Sequence, residues 1–295
     1  MTESNRGLLL ALFAYSMWGS FVLFFSLLKH IPATEVLLHR VIWSFLFVAI
    51  ILTLTKHWGR AKAALLNRRL VLALFCSSLL IATNWGLYIW AVSVNRAVDA
   101  SLGYFINPLV AICLGVIFFK ESLAVYQKVA ILVASLGVAY KIIGMGELPW
   151  IALTLAISFG LYGLVRKKTQ IDTVTGLMLE TILLLPFAAA YWLWLLFQGE
   201  QHFSINTDGA LLILAGVLTA LPLLAFSAAA HRLSLTLLGF MTYLAPTLQL
   251  LSAVLILDEP FDDGDLITFS MIWLALLIFS GGAIWRRRKA PRNIT

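Results

Sequence analysis

Long apolar runs, each closed by a short polar or basic stretch, recur along the whole chain. The first extends from Leu8 to Leu28 without a charged residue. A helix needs about 20 apolar residues to cross a hydrocarbon core of about 30 Å, and lipid obliges every backbone N–H and C=O to pair within its own segment. On that criterion the pattern predicts membrane helices near residues 8–28, 36–55, 70–91, 99–119, 127–144, 149–166, 174–197, 209–230, 235–257 and 266–285. The loops between them are short and leave no room for a soluble domain. The first run exceeds the roughly 7–15 residues of a signal-peptide core, and no small-x-small cleavage site follows it, so a retained span is expected. The expected fold is therefore all-α, with ten transmembrane helices.

Composition agrees. Of 295 residues, 61% are hydrophobic and only 12% charged, against about 25% charged in a soluble domain. That much apolar side chain cannot be hidden inside a water-soluble body of this size, which excludes disorder, a coiled coil and an ordinary cytosolic enzyme. The net charge of +7 gathers at loops and the C-terminus, so it points to the lipid bilayer as partner and not to nucleic acid. Of the 21 Lys and Arg residues, only Lys29, Arg96 and Lys141 fall in outer segments and Arg40 within a span if both termini are placed in the cytoplasm. The acidic residues Glu147, Glu200, Asp208, Asp258, Glu259, Asp262, Asp263 and Asp265 then lie outside. Positive loops stay on the cytoplasmic side, so ten spans in the cytoplasmic (inner) membrane, both ends inside, is the expected topology. Cys76 and Cys113 sit within apolar runs as small packing residues, and with no Cys/His cluster neither a metal site nor any other cofactor is expected.

The two halves echo each other. Arg96 precedes Gly103 by seven residues and Pro108 precedes Glu121 by thirteen; Arg232 precedes Gly239 by seven and Pro246 precedes Glu259 by thirteen. Ala14-x-Ser16 likewise returns as Ala156-x-Ser158. This predicts two five-helix repeats, residues 1–146 and 147–295. An odd number of spans per repeat inserts the second copy upside-down, the inverted arrangement through which many secondary transporters expose one site alternately to the two sides.

Charge inside a span costs roughly 2.5–3.5 kcal/mol on insertion scales, so intramembrane ionisable residues are functional candidates. His39 and Arg40 stand in span two and Glu180 in span seven, with Asp99 and Arg232 at the mouths of spans four and nine. Depth argues against a direct Arg40–Glu180 pair and for Arg40 with Asp99 on the outer side and Glu180 with Arg232 on the inner side. These four form two expected gating or coupling clusters. For Arg40 the alternative is snorkelling to the headgroups. Glu35 and His39, four residues apart, can share a proton or form a helix-end link. Asn84, Asn107 and Gln249 sit deep, where amides commonly bond neighbouring helices. Pro108, Pro222 and Pro246 each remove a helix hydrogen bond and can hinge a helix or free a carbonyl. Tyr15, Trp18, Trp43, Trp85, Tyr88, Trp90, Tyr104, Phe240 and Tyr243 add aromatic rings, several too deep for an interfacial belt. The expected substrate-binding set is Trp18, His39, Arg40, Asn84, Trp85, Tyr88, Tyr104, Asn107, Glu180, Phe240 and Tyr243, the lining of a site for a small organic molecule with ring and polar parts.

These segments resemble the RarD subfamily of the EamA-type drug/metabolite transporters. The matching stretches are His39-Arg40 with Trp43-Ser44, Asn84-Trp85 with Tyr88-Ile89-Trp90-Ala91-Val92, and Ala100-Ser101-Leu102-Gly103-Tyr104-Phe105-Ile106-Asn107-Pro108-Leu109. Tyr162-Gly163-Leu164-Val165-Arg166-Lys167-Lys168, Glu180-Thr181, Leu238-Gly239-Phe240 and Pro246-Thr247 continue the likeness over nearly the whole chain. Asp99 departs from the Glu associated with the family but keeps the carboxylate. The resemblance implies two inverted five-helix repeats around a central cavity, helices five and ten packed outside, and an inner-membrane permease exporting small metabolites or drugs. The subfamily name is tied to chloramphenicol sensitivity, which does not fix a substrate.

The leading expectation is a secondary active permease moving a small metabolite or drug-like molecule by alternating access, either uncoupled or coupled to protons through Glu180, His39 or Asp99. No Walker motif is present to supply ATP drive. The rival readings are an intramembrane enzyme acting on lipid or peptide and a non-transporting sensor. The first lacks a paired-aspartate or HExxH constellation, and the second lacks a ligand domain.

Overall fold

A computed structural model describes residues 3–56, 58–120, 122–144, 146, 148–233, 237–238 and 241–289. Gly239, Phe240, Glu121, Glu147 and Arg292 lie outside the described residues. The described residues form eleven helices: α1 (Glu3–Ser26), α2 (Ala33–Leu54), α3 (Trp58–Leu65), α4 (Arg68–Ser93), α5 (Ala97–Phe119), α6 (Val125–Gly144), α7 (Trp150–Thr169), α8 (Thr173–Gln198), α9 (Thr207–Ala230), α10 (Leu244–Leu255) and α11 (Asp263–Lys289). Nine of these are long and apolar enough to cross a membrane, and α10 is a shorter apolar helix. Polar caps start several of them: Asn67, Asp172 and Asn206 accept the N–H of Leu70, Thr175 and Gly209, each three residues on. Leu72, Leu132, Leu193, Phe197 and Leu277 stay exposed on the outside of the bundle, where lipid covers them. Cys76 lies on that exposed surface too, not in the packing expected of it.

Two features differ from the expected pattern. The eight-residue α3 buries Ala61 and Ala64 against α4 and α8, an element too short to stand out between two spans. The run 235–257 is not one continuous helix. A turn at Thr242 and Tyr243 interrupts it, and the helix that follows from Leu244 holds 12 residues, about 18 Å at 1.5 Å per residue. Pro246 fits the break, for it has no N–H to bond back to Thr242.

The helix pairs reveal the repeat. Exchanging α1 with α7, α2 with α8, α4 with α9, α5 with α10 and α6 with α11 turns the set of main interhelical contacts into itself. The pair α1·α10 becomes α7·α5, α1·α9 becomes α7·α4, and α2·α9 becomes α8·α4; α2·α8, α5·α10 and α6·α11 map onto themselves. The match extends to single residues. A Cβ on Gly19 of α1 would meet the Leu248 side chain of α10 at 2.6 Å, and one on Gly160 of α7 would meet Val110 of α5 at 2.8 Å. Five crossings per unit make the second copy inverted, so the fold is ten membrane helices in two inverted five-helix repeats. Helices α6 and α11 pair mainly with each other at the edge, and α1, α2, α4, α5, α7, α8, α9 and α10 enclose the middle. Below, the face at which α1 begins is the terminal face and the opposite one the far face.

Candidate functional site

Arg40 is the eighth residue of α2, about 10 Å from the far end of that helix, and is 4% exposed. Its Nε–H donates to Thr219 Oγ1 on α9 at 2.6 Å. Thr219 spends its own proton on the Ala215 carbonyl, which leaves a hydroxyl lone pair for the guanidinium. The guanidinium carbon lies 4.3 Å from the ring centre of Trp85, 5.4 Å from Phe25 and 5.6 Å from Phe21. Cation–π attraction is strongest where water is excluded. Among the described residues no carboxylate forms an ion pair with Arg40.

A ladder of rings and amides continues from this point. Phe25 meets Tyr88 at 6.1 Å and Tyr88 meets Tyr104 at 5.6 Å. The Tyr104 hydroxyl donates to Asn84 Oδ1 at 3.1 Å, and Asn84 Nδ2 donates to the Leu155 carbonyl and to Ser158 Oγ. The Tyr88 hydroxyl, Asn107 Oδ1 and Gln249 Oε1 are buried without a hydrogen-bond partner in the structure. Buried polar atoms are almost always paired, so such orphans mark a place for a ligand or water. Toward the terminal face Trp18 packs on Tyr15 and Phe226, and its carbonyl accepts from Gln249 Nε2 at 3.0 Å. Tyr15 joins Thr242 at 3.0 Å, just before the half-buried Tyr243 opens α10. Gly103 lets α5 close on α7, since a Cβ there would sit 2.7 Å from the Ala152 carbonyl oxygen. Of the expected binding residues, Trp18, Arg40, Asn84, Trp85, Tyr88 and Tyr104 thus line one continuous polar–aromatic track between the repeats.

Other expected residues stand apart from it. Although it adjoins Arg40 in sequence, His39 faces another way: it stacks on Phe203 at 5.0 Å and meets Trp192 at 5.4 Å, with both ring nitrogens buried and unpartnered. Its expected partner Glu35 turns instead to the 199–206 loop and accepts from the backbone N–H of His202 at 2.7 Å while contacting its Nδ1 at 2.7 Å. A surface cavity of about 480 Å³ beside this clasp is lined by Pro32, Tyr191, Trp194 and His202. Glu180 is the eighth residue of α8 and lies near the terminal face. It accepts from Ser77 Oγ at 2.5 Å and Tyr162 at 3.3 Å, with Arg166 Nη1 at 3.7 Å.

Neither expected gating pair forms. Asp99 is bound by its neighbour Arg96 at 2.7 Å and by Lys141 at 3.6 Å, and Lys141 also contacts Asp265, tying α5 to α6 and α11. Arg232 reaches Glu3 at 2.9 Å on the terminal face. Depth along a span says nothing of rotation about the helix axis, and that rotation turns Asp99 toward Lys141 of α6 and away from Arg40. Unforeseen was Glu259, whose two oxygens accept the N–H groups of Ala97 and Val98, each at 2.9 Å, capping α5 from the α10–α11 loop. Burial pushes the Glu259 carboxyl above its ordinary range; the charge of Asp99 adds to this, and the two N–H groups and Lys29 oppose it. Thr219, Ser77, Tyr162 and Arg166 were also missed. Tyr162 and Arg166, four residues apart on one helix face, are the pair whose spacing offered a signal.

A ten-helix bundle of two inverted repeats around a polar track defines a membrane protein of the transporter type. The sequence profile of the EamA-like transporter family matches residues 5–142 and again 148–281. The protein called RarD in Escherichia coli K12 is 43% identical over 98% of this chain and 99% of its own. An uncharacterized transporter of Vibrio cholerae is 43% identical over 94% and 93%. The "chloramphenicol-sensitive protein RarD" of Pseudomonas aeruginosa is 30% identical over 99% of both chains. A protein of known crystal structure, 18% identical, superposes with a TM-score of 0.57 over 94% of this chain and 98% of its own, a likeness of fold alone. The chain belongs to the EamA-like transporter family, in its RarD subfamily.

Proposed function

We propose that this protein is a secondary active permease that exports a small metabolite or drug-like organic molecule across the cytoplasmic membrane by alternating access. The observation that carries this reading is the exchange symmetry of the helix contacts around the track from Arg40 to Trp18. Each main packing of one repeat against the other has an inverted counterpart, so rocking one repeat can open either face at similar cost. The repeats are taken as residues 1–146 and 147–295, with both termini cytoplasmic. The substrate site is formed by Trp18, Arg40, Asn84, Trp85, Tyr88 and Tyr104, completed by Asn107, Tyr243 and Phe240. His39 belongs to the outer approach. Asp99 and Glu259 on one face, and Glu180 and Arg232 on the other, act as the contacts that part during the cycle. Glu180, Asp99 and His39 are the groups available to carry a coupling proton.

Reconstitution in liposomes tests this. Small metabolites and drugs that stabilise the purified chain, chloramphenicol included in the screen, are expected to cross the bilayer only with protein present. Flux unchanged by an imposed pH gradient would end the proton-coupled form of the proposal. Labelling of engineered cysteines that found the two termini on opposite faces would end the permease form altogether.

A further inference from the structure

We propose that the Arg40 pocket takes an organic monoanion: a carboxylate carried on an apolar or aromatic body. This rests on the track being a transport site and adds the chemical class of its cargo.

Arg40 is held and oriented from one side only. Thr219 takes Nε and the face of Trp85 takes the guanidinium plane. Among the described residues Arg40 makes no other hydrogen bond, so the fork of Nη1 and Nη2 is left for something else. That planar fork matches a carboxylate with two parallel hydrogen bonds, which an ammonium cannot do. The buried carboxylates that might have answered it are engaged elsewhere: Glu180 by Ser77 and Tyr162, Asp99 by Arg96 and Lys141, Glu259 by the α5 N-terminus, and Glu35 by His202. A cation kept in a largely dry site with no counter-charge is costly, and the cost is relieved when an anion arrives.

The surroundings narrow the anion further. Phe21, Phe25 and Trp85 present ring faces around the guanidinium, and faces carry the negative part of the aromatic quadrupole. A single positive charge within such walls balances one negative charge; a dianionic phosphate would leave an excess buried against π-faces. The unpartnered Tyr88 hydroxyl, one ring beyond Phe25, offers a neutral donor to the same headgroup. Beyond it, Tyr104, Trp18 and Phe226 supply apolar ring surface against which an aromatic or aliphatic body would pack.

The test uses the purified full-length chain and compounds sharing one skeleton: 3-phenylpropionate, its primary amide and 3-phenylpropylamine, extended to a panel of monocarboxylates each paired with its amide. Thermal stabilisation and titration calorimetry at pH 7.5 are expected to favour the carboxylate at least tenfold over amide and amine. Arg40→Gln should erase that preference, Arg40→Lys should retain part of it, and Tyr88→Phe should weaken the carboxylate several-fold while leaving the amide unchanged. The headgroup comparison on the unaltered protein stands even if Arg40→Gln fails to fold. Amides binding as tightly as their acids, or an acid preference surviving in Arg40→Gln, would overturn the assignment. If a neutral or cationic compound binds and crosses liposomes while no carboxylate does, the anion assignment falls and the permease stands. If no compound of any charge binds or moves, both fall.

Discussion

Glu259 caps Ala97: its carboxylate accepts the Ala97 backbone N–H at 2.9 Å while its other oxygen takes the next N–H, that of Val98. A residue from the loop after the fourth membrane helix of the second repeat thus satisfies the start of the fourth membrane helix of the first. Loss of such a cap costs about 1 kcal/mol. Glu259→Ala should lower the melting temperature in detergent by a few degrees, and Glu259→Gln, which keeps one acceptor, should lower it less. Equal melting of the three proteins would show that the clasp contributes nothing.

The pH response of this clasp is opposite in sign to that of the cap on α8. Glu259 titrates above its ordinary value in the folded chain, so its proton-linked stabilisation is complete below the unfolded pKa of a glutamate. That stabilisation fades as pH rises through the native value. Asp172 is pushed up by burial, but the N–H and hydroxyl of Thr175 and the charges of Arg60 and Arg166 outweigh this and leave it below its ordinary value. Its contribution is present above the unfolded pKa of an aspartate and is lost as pH falls through the native value. Melting temperature followed from pH 3 to 7 should therefore change less at the acid end in Asp172→Asn than in the unaltered chain. Glu259→Gln should flatten the upper part of the same curve.

Glu180 holds three helices together through side chains alone. Ser77 of α4, Tyr162 and Arg166 of α7 all converge on its carboxylate, which is 2% exposed. Removing one member of a buried ionic set leaves the others desolvated and unpaired, a loss on the order of 3–5 kcal/mol. Glu180→Ala should be strongly destabilised and Glu180→Gln less so. In a double-mutant cycle, Ser77→Ala should cost little once Glu180 is absent, because the two residues touch. Additive costs would mean that the bond carries no coupling.

The helices were legible because lipid leaves a spanning segment almost no choice but to be apolar and hydrogen-bonded within itself. Their ends moved by only a few residues, except in span nine, where a turn at Thr242 and Tyr243 interrupts the run just before Pro246. Arg40 and Glu180 were legible as costly charges, and both proved to be buried centres of contact. Their partners were not. Adjacent helical residues point about 100° apart, which sends His39 to Phe203 and Arg40 to Thr219. A depth count along the sequence carries no information about that rotation. Thr219 and Ser77 gave no warning either, as small hydroxyl residues are common in membrane helices for packing alone.

Gly103 and Gly160 should respond unequally to the same added methyl. At Gly103 the new Cβ would sit 2.7 Å from the Ala152 carbonyl oxygen and 3.0 Å from its Cα, which are backbone atoms of α7 that cannot step aside. At Gly160 it meets Cγ1 of Val110 at 2.8 Å and Cδ1 of Leu114 at 3.0 Å, side-chain ends that can rotate or be shortened. Overpacking of this kind costs about 1–3 kcal/mol, with Gly103→Ala expected at the upper end and Gly160→Ala at the lower. Val110→Ala, which removes that Cγ1, should restore part of the melting temperature lost in Gly160→Ala, whereas Leu248→Ala should not rescue Gly19→Ala, because the obstacle there is the Leu248 Cβ at 2.6 Å, an atom alanine keeps. For Gly103→Ala no side-chain deletion on α7 should help, since the obstacle is main chain. Rescue at Gly19 as complete as at Gly160 would show that whole helices shift to absorb the methyl and that these contacts do not set its cost.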